Sequence, residues 1–377
     1  MTDDTFTPVS DLGEFGLIDR LRRVLGDAAE APALATPIGD DAAVVDLGGG
    51  RAQVLTTDLF VEGVHFDRTF APMRALGWKC IAASASDVCA MNAVPTLATV
   101  ALGVPNNLSV EHAEALYTGI AQACARYGMA VAGGDVSASA RLVVSVTVLG
   151  EAPGDRIVTR AGASPGDALC LTGDVGASAA GLALLLRGKE AALEREAAPP
   201  EASGGPPSGD GSSPLPAGSG PDGGAPEATG AAPDLGRFPI PIERHLMPQA
   251  RLDRVRLWRE AGFRPTSLID VSDGLASEAH HLSIEGTVGI AVDARLLPVH
   301  LQTMQAAEAL GQRAETWALY GGEDYELLFT APPEALEALP ADTYAVIGRV
   351  TEPDDGVTLR LPDGTEIPME AGGFTHL

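Results

Sequence analysis

Short apolar runs that end in acidic residues recur along this chain and constrain its fold more than any bulk property. The first is Ile38-Gly39-Asp40-Asp41-Ala42-Ala43-Val44-Val45-Asp46, and Val54-Leu55-Thr56-Thr57-Asp58 follows after a short gap. Hydrophobic strands that carry carboxylates to their ends predict a layered sheet with one acidic edge. The device returns at Ser86-Asp87, Gly133-Gly134-Asp135 and Asp270-Val271-Ser272-Asp273. Taken singly, each is an ordinary cap or turn. Taken together, carboxylates gathered without a cation would raise one another's pKa at a cost in stability. Mg²⁺ takes oxygen ligands from a few carboxylates and from substrate phosphates, so the set predicts a phosphate site holding several Mg²⁺ ions.

Periodicity places these motifs on elements. Glu14 to Leu21 has helical spacing, with a stop near Gly26, and strands follow around Ala42 to Val45 and Gln53 to Thr57. A helix runs from Pro72 to Met91 and closes at Asn92, a residue that tolerates the left-handed conformation of a helix stop. Thr96 to Val104 reads as a strand, Ser109 caps another helix, and Met129 to Ala132 and Leu142 to Leu149 are strand-like. The alternation predicts an α/β domain over residues 1–150. A second α/β unit, 151–189 and 237–377, opens with a strand at Ala168 to Thr172 and an Ala/Leu helix up to Gly188. Later come a helix at Leu252 to Ala261, a strand at Leu268-Ile269, a helix bearing His280-His281, and strands around Gly289 to Val292, Tyr325 to Thr330 and Tyr344 to Val350. Residues 190–236 are dominated by Pro, Gly, Ala and Ser, and are expected to be a disordered insertion.

Charge narrows the partners. A net charge of −26 over 377 residues repels nucleic acid and anionic membrane alike. With Lys79 and Lys189 the only lysines, phosphate must be held by arginine, backbone N–H groups or metal. The cysteines Cys80, Cys89, Cys124 and Cys170 show no metal-ligand spacing and suit a reducing compartment. Met1 to Asp11 lacks the features of a signal peptide, and the longest apolar run is too short to span a bilayer, so a cytoplasmic protein is expected.

Further candidates are Arg160, as a phosphate clamp or a surface arginine, and His65, as a substrate contact or a packing residue. Gly321-Gly322-Glu323-Asp324-Tyr325-Glu326, before an apolar strand, is a recognition loop for a cationic group or a solvated turn. No phosphate-binding P-loop or protein-kinase catalytic motif is present. Gly162-Ala163-Ser164-Pro165-Gly166 has the letters of a nucleophile elbow, but Pro165 lacks the N–H that an oxyanion hole needs.

In order and register these motifs resemble the thiamine-monophosphate kinase family, within the superfamily of aminoimidazole ribonucleotide synthetase and selenophosphate synthetase. The resemblance runs from Glu14-Phe15 to the C-terminus, apart from the insertion, and includes Thr159-Arg160-Ala161-Gly162 and Asp270-Val271-Ser272-Asp273-Gly274-Leu275. It implies a two-domain α/β (α+β) fold with a mixed N-terminal sheet, and a homodimer with the site between domains or subunits. It also implies ATP-dependent phosphorylation of thiamine monophosphate to thiamine diphosphate. By the same resemblance Asp41, Thr56, Thr57, Asp58, Asp87, Asp135, Asp270 and Asp273 would hold Mg²⁺. Gly134, Asp135, Arg160 and Ser272 would contact ATP, and His65, Glu323 and Phe374 the substrate. No general base is implied. The chain departs from the family pattern at Asn92, in its Gly373-Phe374-Thr375-His376-Leu377 tail and in the insertion. An aminoimidazole ribonucleotide synthetase-like ligase is the alternative enzyme, and a nucleotide-binding protein without turnover the alternative of another class. Selenophosphate synthetase and hydrogenase-maturation relatives would need reactive cysteines near the N- and C-terminus respectively, where this chain has none.

Overall fold

A computed structural model describes residues 7–197 and 234–373. Among these residues the chain begins with α1 (Gly13–Leu25), β1 (Leu34–Thr36), β2 (Ala43–Gly48), β3 (Arg51–Val61), α2 (Met73–Ala90), β4 (Val94–Val104), α3 (Val110–Tyr127), β5 (Ala130–Ala138) and β6 (Val143–Pro153). Next are β7 (Ala168–Leu171), α4 (Ala177–Ala197), α5 (Pro239–Leu246), α6 (Leu252–Glu260), β8 (Ser267–Asp270), α7 (Leu275–Gly286) and β9 (Gly289–Asp293). The chain closes with α8 (Leu301–Leu310), α9 (Ala314–Tyr320), β10 (Leu327–Ala331), β11 (Ala345–Thr351), β12 (Val357–Arg360) and β13 (Glu366–Pro368).

The strands form two mixed sheets. The first has the order β1-β2-β3-β6-β4-β5, antiparallel except for the parallel edge pair β4 and β5. The second has the order β13-β12-β9-β11-β7-β10-β8, with β9 and β12 its parallel pair. Alternation along the central strands of the second sheet separates two cores. Ala168, Cys170, Leu268, Leu327 and Phe329 join the core of the first sheet, whereas Leu169, Leu171, Ile269 and Leu328 pack beneath α7. The larger core therefore runs without a break from the first sheet into the second.

Helix α2 lies at the centre of that core. Its sequence is apolar or small on every side, as a helix enclosed all round must be, and nearly all of it is buried. It packs against β3, β6 and β4 of the first sheet and against β8 of the second. Helix α3 crosses it backbone to backbone. A Cβ on Gly77 would lie 2.0 Å from the Leu116 carbonyl oxygen, and one on Gly119 would lie 1.9 Å from that of Arg74. Asn92, in the left-handed region at φ 54°, turns the chain out of α2 as its sequence position predicts, and Ser109 caps α3 by accepting from the His112 N–H.

Some expectations change. Helix α4 continues past Gly188 to Ala197, because Ala191, Ala192, Leu193, Glu194 and Arg195 favour helix, Ala191 is buried, and Arg187 pairs with Glu190 and Glu194. The expected insertion is therefore ordered over 190–197, and Leu235–Arg237 forms a short turn of 3₁₀ helix. Residues 198–233, the rest of that expectation, lie outside the described residues, as does Phe374. Strand β5 runs well past Ala132 and absorbs Gly133-Gly134-Asp135, so this motif sits in an edge strand instead of a loop.

Candidate active site

The acidic edge forms where both sheets meet α2. In β3, Thr56 and Asp58 point toward α2 while Thr57 points to the opposite face. The Thr56 hydroxyl donates to Asp87 Oδ2 at 2.6 Å, and the Ser84 hydroxyl donates to Asp58 Oδ2. From the second sheet, Asp270 at the end of β8 accepts from the Ser86 hydroxyl at 2.6 Å. Residues Ser84, Ser86 and Asp87 of one helix thus bind carboxylates or hydroxyls from two sheets. Asp41 and Asp40, before β2, close the cluster through Arg160. Its Nη2 lies 2.6 Å from Asp41 Oδ1, and its backbone N–H donates to Asp40 Oδ2 at 3.2 Å.

The electrostatic consequence is strong. Burial raises the carboxyls of Asp41, Asp58 and Asp87 above the ordinary range, and Asp87 is raised further by Asp58, Asp270 and Asp41. Burial and then Asp41 push Asp270 up to about 8, and burial and Asp41 push Asp40 to about 6. The Asp41 Oδ2 atom is buried without a hydrogen-bond partner. Glu278 on α7 accepts from the Asp273 N–H at 2.9 Å and is also raised, by burial and then by Asp273. The sequence reading missed Glu278. Its available signal was a glutamate on the apolar face that Leu275, Ala279 and Leu282 define.

The loop of Glu323 borders the same cleft as Asp58 and Asp87. Both Glu323 (φ 65°) and Tyr325 (φ 53°) adopt the left-handed conformation, a strain on the order of 1–3 kcal/mol each that surrounding bonds must hold. The Glu323 N–H donates to the Ser272 carbonyl at 2.7 Å and the Tyr325 N–H to that of Val271 at 2.8 Å. Asp324 accepts from the N–H groups of Gly176 and Ser178 at the start of α4, and burial pushes its carboxyl up to about 7. Glu326, fully buried, binds the Thr172 hydroxyl, Arg244 and Arg251. This is no solvated turn. Lys79 Nζ lies 2.6 Å from Glu323 Oε1, and His245 Nδ1 lies 3.3 Å from Oε2. Burial alone would raise Glu323, but Lys79 and then His245 bring it below the ordinary carboxylate value.

That cleft, of ≈ 980 Å³, is lined by Asp58 and Asp87 of the acidic cluster together with Glu323, His65, His245, Ser272, Asp273, Phe60 and Tyr320. His65 Nδ1 accepts from the Val61 N–H at 3.0 Å, which leaves Nε2 as its protonated nitrogen when neutral. Gly373 also borders the cleft, so the described chain ends beside it.

Two expected residues stand apart. The Thr57 hydroxyl bonds Thr147 at 3.0 Å on the face of the first sheet turned away from α2. Asp135 is exposed on β5, and its pairing with Ala101 sets it in the row of Ala101, Ser145 and Leu59 on that same outer face. Gly134 has a packing reason as well, since a Cβ there would lie 1.8 Å from the Val100 carbonyl oxygen. Among the described residues, no three His, Cys, Asp or Glu side chains converge closely enough to enclose an ion by themselves.

Residues 39–152 match the family model for the N-terminal domain of AIR synthase related proteins. Over 98% of its length the chain is 34% identical to thiamine-monophosphate kinase of Aquifex aeolicus, covering 99% of that protein. It is 32% identical to the thiamine-monophosphate kinase of Bacillus subtilis, over 90% of this chain and 92% of that one. Among solved structures, AaThiL complexed with AMPPCP and TMP aligns with TM-score 0.77 and 33% identity, covering 99% of this chain and 100% of that chain. The hydrogenase maturation protein HypE in complex with ATP shares the fold at TM-score 0.58 and 18% identity, over 93% of this chain and 94% of that one.

The raised carboxyls set a pH dependence of stability. Asp270 moves from 3.8 to about 8 on folding, so its protonation stabilises the folded state fully below pH 3.8 and that contribution is lost as pH rises through 8. In protein stripped of divalent ions, the melting temperature is expected to fall from pH 5 to pH 8. Asp270→Asn should flatten the fall, by up to about 1 kcal/mol per pH unit in unfolding free energy. An unchanged slope in the variant would remove Asp270 from the protonated cluster.

Proposed function

The chain belongs to the thiamine-monophosphate kinase family, and on that premise we propose that it transfers the γ-phosphoryl group of ATP to the phosphate of thiamine monophosphate, giving thiamine diphosphate. The observation that carries this reading is the cleft that Asp58, Asp87, His65 and Glu323 line together. The acceptor is itself a phosphate, largely ionised at neutral pH, so the protein need not supply a general base. What it must supply is a way of bringing two polyanions together in line.

The donor set fits Mg²⁺. It consists of carboxylate and hydroxyl oxygens, one carboxylate oxygen is buried without a partner, and burial and then neighbouring carboxylates raise Asp87 and Asp270 above the ordinary range. We assign Asp41, Thr56, Asp58, Asp87, Asp270 and Asp273 to this task. Because these groups do not enclose an ion alone, phosphate and water would complete the coordination, as is usual for Mg²⁺. When bound, Mg²⁺ supplies neutralisation of both polyanions and of the charge that spreads in the transition state. Arg160, held between Asp40 and Asp41, sits where its guanidinium can bridge the cluster and a nucleotide phosphate. Ser272 lines the same cleft beside the cluster, and His65 and Glu323 orient the acceptor from the opposite side.

Residues 1–150 then act as the nucleotide and metal domain, and 151–189 with 237–377 as its partner domain. The cell compartment we assign is the cytoplasm, where the four buried, unpaired thiols stay reduced. Among the described residues no helix is long and apolar enough to cross a membrane.

Thr57, Gly134 and Asp135 enter this reading through a homodimer. The outer face of the first sheet exposes Leu55, Leu59 and Leu97, its edge strand β5 is exposed along its length, and α1 leaves Ile18, Leu21 and Val24 in solvent. Apolar side chains exposed in this number are what a subunit interface would cover. A second copy covering it would enclose Asp135 and Thr57, so that each subunit completes a phosphate site.

Three outcomes test these assignments. ADP release should require Mg²⁺ and proceed with thiamine monophosphate but not with thiamine or formylglycinamidine ribonucleotide; turnover with the last alone would overturn the reading. Asp87→Asn should remain folded while kcat falls by about a hundredfold or more, on the scale of losing one electrostatic group at a reacting centre, and near-parental turnover would remove Asp87 from the site. In light scattering the parent should be a dimer and Leu59→Asp a monomer; a monomeric parent contradicts the interface.

A further inference from the structure

Glu323 is held by Lys79 and His245, two residues outside the sequence motifs described above. Lys79 sits on α2, where every neighbour along the helix is apolar or small, and its side chain is 4% exposed, so its charge has no route to solvent. Burying an ammonium is costly unless a carboxylate meets it, and Glu323 Oε1 does so at 2.6 Å. The partner is not equally buried: the Glu323 side chain is 28% exposed and lines the cleft together with His245, while Lys79 does not line it. An ion pair serving the core alone would hide both members. Here one member is fixed from below and the other is presented, on a left-handed backbone, to the space where the acceptor binds.

His245 defines which oxygen is presented. Its Nδ1 lies 3.3 Å from Glu323 Oε2 and 3.3 Å from the Ser178 hydroxyl, so Oε2 has at most a long hydrogen bond where Oε1 has a short charged one. Burial and then Lys79 push the imidazole down to about 3, which keeps it neutral and leaves Lys79 as the charge that Glu323 answers.

We propose that Lys79 is a positioning residue for acceptor recognition: from beneath the cleft it pins one oxygen of Glu323, so that the other is offered, at a fixed angle, to an N–H or cationic group of the substrate's heterocycle. The inference rests on the reading of Glu323 as a substrate contact and adds the device that aims it. Lys79 touches neither substrate nor nucleotide. Its loss is therefore felt in acceptor binding and transmitted only through Glu323.

A double-mutant cycle in the full chain tests this, with KM for thiamine monophosphate, KM for ATP and kcat measured in each variant. Lys79→Met should raise KM for thiamine monophosphate about tenfold, the scale of one charge-assisted hydrogen bond, while kcat and KM for ATP stay within about twofold. In a Glu323→Gln background the same substitution should change KM for thiamine monophosphate by less than about twofold. Should Lys79→Met leave too little folded protein because the carboxylate beneath the cleft is unpaired, Lys79→Gln takes its place in the cycle with the same pattern expected. Equal losses in both backgrounds, or a folded Lys79 variant with parental KM while Glu323→Gln is impaired, would overturn the inference. Parental KM in Glu323→Gln would instead overturn the substrate contact on which it rests.

Discussion

The structure depends on one enclosed helix that takes polar groups from both sheets. Helix α2 is surrounded by apolar packing, yet Ser84, Ser86 and Asp87 face the carboxylates and hydroxyls of β3 and β8 across buried hydrogen bonds. Each bond satisfies a group whose burial would otherwise cost on the order of 1–3 kcal/mol. The same helix carries Lys79, the partner of Glu323. Anchors for the acidic cluster and for Glu323 thus share one rigid element, and the glycine crossing with α3 holds that element in place.

Burial raises the carboxyls of Asp41, Asp58, Asp87 and Asp270 together, and hydroxyl donors and Arg160 offset part of that cost. A chain with net charge −26 that must bind ATP and a second phosphate needs a local change of sign. On the proposed reading, cations bound at the cluster would provide it, and gathering buried carboxyls at one site costs stability, a common arrangement where charge is concentrated for chemistry.

Much of this was legible in the residues. Period-two and helical patterns located β2, β3, α2 and α3, and Asn92 ended α2 as its tolerance of positive φ predicts. The convergence of Asp58, Asp87 and Asp270 followed from acidic residues at strand and helix ends. The partners Ser84 and Ser86 were not legible, because a small hydroxyl in a helix looks the same whether it faces a carboxylate or a carbonyl. Thr57 could have been separated from Asp58, since consecutive strand residues face opposite sides. Asp135 could not, because its face is fixed by the irregular register of β4 with β5. Lys79 left a faint sign as a buried charge in a mostly apolar helix, but its partners Glu323 and His245 lie far along the chain, beyond any local pattern.

The central claim is that Asp87 on α2 and the buried carboxyls that meet it from β3 and β8 are raised above the ordinary carboxylate range, so that binding of a cation and nucleotide displaces protons. Calorimetric titration of the Mg²⁺ and ATP pair into the protein at pH 7, repeated in buffers of different ionisation enthalpy, counts the protons released. Release of about one proton or more per site, reduced in Asp270→Asn, is the result this account predicts. Binding that releases no protons in any buffer would contradict it.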